Sequence, residues 1–116
     1  MKVLIIIPAR FSSSRLPGKP LKKILGREMI LRVLDKCKKV KMDNLKLLVA
    51  TDDKRIKKIV EKNHFQSIMT SKNCLTGTDR VAEVAKKHPA NIFINVQGDE
   101  PLISPNDIKR IIKAKK

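Results

Sequence analysis

A chain of 116 residues is the length of one small domain, and 41% hydrophobic residues suffice for a core built mainly of Ile, Leu and Val. Charged residues make up 33%, and the one apolar opening run, residues 3–7, ends at Pro8, too short for a bilayer and without a signal-peptide cleavage pattern. A membrane protein is thereby excluded, and the reading is a soluble cytoplasmic chain. The net charge of +16 is mostly Lys spread over predicted helix faces such as Lys36, Lys38, Lys57, Lys58, Lys86 and Lys87. With three Phe, no Trp and no Tyr there is no aromatic interleaving for base stacking, so no nucleic-acid partner is expected. The expected anionic partner is a triphosphate at a local site.

Residues 3–7 are apolar without a break, the pattern of a strand buried on both faces. A loop follows over 8–19 or slightly beyond. Ile30, Val33, Leu34 and Cys37 recur at helical spacing and predict a helix over 28–40. Residues 45–50 predict a second strand, closed by Thr51-Asp52-Asp53 as capping residues rather than ligands. Ile56, Ile59 and Val60 mark one face of a second helix. Residues 65–69 predict a third strand, and Thr76-Gly77-Thr78-Asp79 starts a helix bearing Val81, Val84 and Ala85. Residues 91–96 predict a fourth strand. The last helix has Ser104 as N-cap, Pro105 in the first turn and Asp107 in the capping-box position, with Ile108, Ile111 and Ile112 as its apolar face.

This βαβαβαβα order has crossovers long enough to require parallel strands. In such sheets ligands bind beyond the carboxyl ends of the strands, which puts the loops after Ile7, Ala50, Met69 and Val96 on one rim. Cys37 falls on the apolar stripe of a helix and Cys74 in a loop. With no CxxC and with His64 and His88 distant, both read as structural thiols.

The loop after the first strand reads Pro8-Ala9-Arg10-Phe11-Ser12-Ser13-Ser14-Arg15-Leu16-Pro17-Gly18-Lys19-Pro20. Three fixed cations, hydroxyls and a Gly between stiffening prolines suit a polyphosphate, although GxxxxGK[ST] is absent. The competing reading is a solvated basic loop. The loop after the fourth strand, Asn95-Val96-Gln97-Gly98-Asp99-Glu100-Pro101, offers a carboxylate beside Gly. Asp99 is the candidate Mg²⁺ ligand, since Mg²⁺ takes one or two carboxylates plus phosphate oxygens and water; Glu100 either joins it or supports the turn. Thr76-Gly77-Thr78-Asp79-Arg80 is either an anion- or base-reading helix start or an ordinary cap.

Together these segments, with Val49-Ala50-Thr51-Asp52, resemble the 3-deoxy-manno-octulosonate cytidylyltransferase family in order and interval. The first segment is shared with related polysaccharide cytidylyltransferases; Val96-Gln97-Gly98-Asp99-Glu100-Pro101 narrows the choice. The resemblance implies a Rossmann-like three-layer nucleotidyltransferase fold of the nucleotide-diphospho-sugar transferase type, α/β with a mostly parallel sheet, here truncated. It implies transfer of CMP from CTP to the sugar acid, with release of pyrophosphate, for lipopolysaccharide assembly. By the same resemblance Arg10, Lys19 and Asp99 are catalytic, Asp99 holds Mg²⁺, and Pro8, Ala9, Arg10, Arg15, Lys19, Thr76, Gly77 and Gln97 bind the nucleotide.

Family members are about twice as long and homodimeric. Residues 1–116 therefore read as the N-terminal CTP-binding half, with weak CTP binding, no useful catalysis and marginal stability on its own. Two alternatives are a cytidylyltransferase for another sugar acid or amino sugar, and a non-catalytic nucleotide- or polyanion-binding module.

Overall fold

Val3–Ala9 forms β1, and every residue of it is buried in the computed structural model, which describes residues 1–11, 18–71, 77–98 and 102–115. The unbroken Val/Leu/Ile run selects this position, because an alternating strand would turn one face to water. The chain continues through a 3-10 turn at Lys19–Leu21, β2 (Lys23–Ile24), β3 (Arg27–Glu28) and α1 (Met29–Lys38). Then follow β4 (Leu45–Thr51), α2 (Lys54–Lys62), β5 (Ser67–Met69), α3 (Gly77–Lys87), β6 (Ile92–Asn95) and α4 (Pro105–Lys115).

The main sheet is parallel throughout, in the order β5-β4-β1-β6. The chain steps outward from β1 to β4 to β5, then α3 carries it back to the far side of β1. The winding direction reverses between β1 and β6, and the crevice at that reversal is where open α/β sheets bind ligands.

Alternate residues of β1 serve two cores. Val3, Ile5, Ile7 and Ala9 pack in one cluster with Ile30 and Leu34 of α1, Ile56 and Val60 of α2, and Ile108 and Ile112 of α4. Leu4 and Ile6 pack in the other with Leu48, Ala50 and Val84 of α3. The result is the expected three-layer α/β sandwich. Each fully buried Leu or Ile contributes about 1.5–3 kcal/mol by leaving water, so both faces of β1 are held.

β1 runs two residues past the predicted end, pairing Pro8 with Ala50 and Ala9 with Thr51. Proline is tolerated in this central strand for a specific reason. The Ile6 and Pro8 carbonyls both point toward β6, so the missing N–H of Pro8 would point there too, beyond the last β1–β6 ladder pair at Ile6 and Asn95. The third strand is shorter than predicted: His64 takes φ 69° after α2 and residues 65–66 lead into the strand instead of joining it. Asp53 caps α2, accepting from the Arg55 and Ile56 N–H groups at 2.8 and 3.3 Å. Ser104 caps α4 through Asn106 N–H at 3.2 Å, while the Asp107 carboxylate pairs with Arg110 at 3.1 Å.

The β2–β3 hairpin was not predicted. Its strands are two residues long, below any period, and its turn is Leu25-Gly26, both at positive φ (51° and 83°), where Asn-Gly would have been the signal. Arg32 Nε donates to the Ile24 carbonyl at 2.7 Å and Arg27 pairs with Asp35 at 2.7 Å, fastening the hairpin to α1.

Candidate functional site

The carboxyl ends of β1 and β6 are held against one another beyond the ladder. Val96 N–H donates to the Ile6 carbonyl at 3.1 Å and Gly98 N–H to the Pro8 carbonyl at 3.2 Å. A Cβ on Gly98 would stand 3.1 Å from the Pro8 carbonyl oxygen, 3.1 Å from Ile30 Cδ1 and 3.2 Å from Ala9 Cβ. Glycine lets the chain pass this close without pushing these neighbours apart. Asp99 lies outside the described residues, but it follows directly from this wedged glycine.

Arg10 stands half-buried at the end of β1, and half-buried Lys19 opens the 3-10 turn. Between them the neck of the first loop is closed: Gly18, at φ 74°, donates its N–H to the Phe11 carbonyl at 2.5 Å. Each cation is thus the immediate neighbour of a residue of that closure. Gln97 is exposed on the same rim, its Nε2 donating to Asn95 Oδ1 at 3.4 Å. Pro8, Ala9, Arg10 and Gln97 therefore stand where the winding reverses, and Lys19 follows the Gly18 that closes the loop on Phe11. Arg15 and Thr76 lie outside the described residues.

Gly77 begins α3, as expected, but the first turns of that helix are tied to the residues just past β4 and β5. Arg80 is fully buried and donates to Thr70 Oγ1 and, at 3.4 Å, to Asp52 Oδ2; Ser71 N–H donates to the Glu83 carboxylate at 2.9 Å. A broad open cleft of 920 Å³ lies at the opposite, amino end of the sheet, lined by Met1, Cys37, Val40 and Met42 among others. It holds none of the candidate residues, and chemistry is better sought at the carboxyl rim.

Residues 4–116 match the family described as Cytidylyltransferase. The chain belongs to that family. It is 45% identical over 112 residues to 3-deoxy-manno-octulosonate cytidylyltransferase of Escherichia coli, covering 97% of this chain and 45% of that protein. The enzyme of the same name from Fusobacterium nucleatum subsp. nucleatum is 52% identical over 114 residues, 97% of this chain and 46% of that one. A solved CMP:2-keto-3-deoxy-manno-octonic acid synthetase, complexed with CTP, superposes with a TM-score of 0.93 at 43% identity over 98% of this chain and 47% of that one. The chain spans about half the length of the curated relatives it matches.

One network carries no mark of its pairing in the sequence. Thr51-Asp52-Asp53 has the composition of a cap, yet only Asp53 caps, with Thr51 Oγ1 accepting from its N–H at 3.2 Å. Asp52 instead meets buried Arg80. The available signal was the spacing: Arg80 sits four residues before Val84 and so shares its buried face.

Among the described residues no group of three or more His, Cys, Asp or Glu could hold a metal ion, and no helix is long and apolar enough to cross a membrane. Cys37 is completely buried, and burial pushes its thiol up to about 12. It stays neutral at physiological pH and is expected to resist iodoacetamide in the folded chain and to react once urea unfolds it. Peptide mass spectrometry checks this; labelling at native conditions would contradict the packing. Cys74 lies outside the described residues.

Proposed function

We propose that the chain carries the CTP-binding part of an enzyme that transfers CMP from CTP to 3-deoxy-manno-octulosonate. The observation that supports this reading is the pair of backbone bonds at the reversal between β1 and β6, Gly98 N–H to the Pro8 carbonyl and Gly18 N–H to the Phe11 carbonyl, in the segments that carry Arg10 and Lys19. The names of the similar proteins support the choice of nucleotide and sugar acid.

In this reading the anomeric hydroxyl of the sugar acid attacks the α-phosphorus in line as the bond to pyrophosphate breaks. Arg10 offers a planar guanidinium and Lys19 a compact ammonium to the triphosphate and then to the departing pyrophosphate, and Arg15 assists. The work is positioning and electrostatic stabilisation. Gln97, the backbone of Pro8 and Ala9, and Thr76 with Gly77 surround the cytidine.

The donor set suits Mg²⁺. Gly98 stands against Pro8, the next residue in sequence is a carboxylate, and one carboxylate with phosphate oxygens and water is a usual Mg²⁺ environment. Asp99 would hold the ion, which when bound supplies charge neutralisation at the phosphates. The same reading has the enzyme acting as a cytoplasmic homodimer whose product enters lipopolysaccharide assembly.

Isothermal titration tests this. The chain is expected to bind CTP in preference to ATP and GTP, more tightly with Mg²⁺, and Asp99→Ala is expected to remove the Mg²⁺ enhancement. Steeply salt-dependent binding of any polyanion, with no preference for CTP, would favour a polyanion-binding module instead.

A further inference from the structure

The first loop is anchored by more than its own backbone. The Phe11 ring packs on Gly18: a Cβ there would stand 2.8 Å from Phe11 Cε2 and 3.2 Å from Cζ. The Arg55 guanidinium carbon lies 3.3 Å from the centroid of the same ring. Arg55 is 61% exposed by its side chain, yet it is not loose. Its Nε donates to Asp53 Oδ1 at 3.2 Å and its Nη2 to Asp53 Oδ2 at 2.8 Å, while Asp53 caps α2. Those side-chain hydrogen bonds also hold the Asp53 carboxyl below the usual carboxylate range. Ile56 and Val60, both fully buried, root α2 in the core.

A continuous chain of contacts therefore runs from the core through α2, Asp53, Arg55 and Phe11 to Gly18. It ends on the two residues whose backbone hydrogen bond closes the loop, beside Arg10 and Lys19. Arg suits the link where Lys would not, because its flat guanidinium can bond a carboxylate along one edge and lie on a ring with its face.

We propose that Arg55 is a positioning residue: by stacking on Phe11 it fixes the Phe11–Gly18 neck and so sets the spacing of Arg10 and Lys19 for a triphosphate. The proposal rests on the CTP reading above. Cations held in place before the ligand arrives lose less freedom on binding it. The base of the nucleotide does not depend on this spacing, so the effect falls on the phosphate chain.

The test uses Arg55→Met, Arg55→Lys and Phe11→Tyr in the full chain, with CTP and CMP titrated in parallel and Gly18 amide exchange followed by NMR. Arg55→Met is expected to weaken CTP about three- to fivefold and CMP by less than about twofold. Gly18 exchange should speed up about tenfold while the amides of β1 stay protected. Arg55→Lys keeps the charge but loses the flat face, and should behave like Arg55→Met. Phe11→Tyr keeps the ring and should match the parent.

An unchanged CTP-to-CMP ratio in Arg55→Met, or unchanged Gly18 exchange, would overturn the proposal. Full rescue by Lys would do so too, because it would assign Arg55 to long-range charge. Failure of the unmodified chain to bind CTP would sink the functional reading and with it the phosphate role of the clamp, whereas the other outcomes sink the clamp alone.

Discussion

Arg80→Met is expected to lower the free energy of unfolding by about 2–3 kcal/mol, a large part of what a domain of this size commands. Methionine has the length to fill much of the space, so the loss is polar rather than volumetric. It leaves the Asp52 carboxylate, 23% exposed, and the Thr70 hydroxyl, 8% exposed, without the guanidinium that reaches both. Breaking a fully buried pair costs about 3–5 kcal/mol, and the partial exposure of Asp52 lowers the figure through solvent screening. Urea unfolding reads this as a lower midpoint at constant slope. The double variant Arg80→Met with Asp52→Asn should recover part of the loss, because no unpaired charge remains. A loss under about 0.5 kcal/mol would mean that the pair is worth no more than a surface bridge.

Gly98→Val is expected to act on stability and on the site together, lowering the unfolding free energy by about 2–3 kcal/mol and CTP affinity by about tenfold or more. The obstacle is space, not backbone conformation: positive φ occurs at Gly18 and Gly26, and Gly98 is not among such residues. A first carbon on the side chain already meets the Pro8 carbonyl and Ile30 at 3.1 Å; the two further methyl groups of valine have to push the β6 end away from β1. Because the Gly98–Pro8 hydrogen bond is the last link between those strands among the described residues, the shift would loosen the β6 end from the end of β1 that leads into Arg10. Gly98→Ala should fall between parent and Val in both measurements. Denaturation and CTP titration of the three proteins check the order, and an unchanged Gly98→Val would show that this turn relaxes freely.

The site divides along similar lines. Arg10, Lys19 and Gln97 could be assigned to one rim because each follows a strand or its loop, and a parallel sheet sends all such loops to the same end. That Arg10 and Lys19 flank one closed neck, while Gly77 belongs to a helix tied to the residues just past β4 and β5, depended on contacts the linear order does not specify.

Hydrophobic period marked the four strands of the main sheet, the four helices and the faces of β1, and the length of the crossovers made those strands parallel. The helix starts at Asp53 and Ser104 were legible for the same reason, being set by residues two or three positions apart. Only the tertiary structure decided the rest. Arg80 meets Asp52 across 28 residues, and Phe11 meets Arg55 through the packing of α2. Such pairs form when the core brings distant segments together, so neither partner carries a local mark of the other. The Asp52 that had been read as a cap thereby became the partner of a buried arginine.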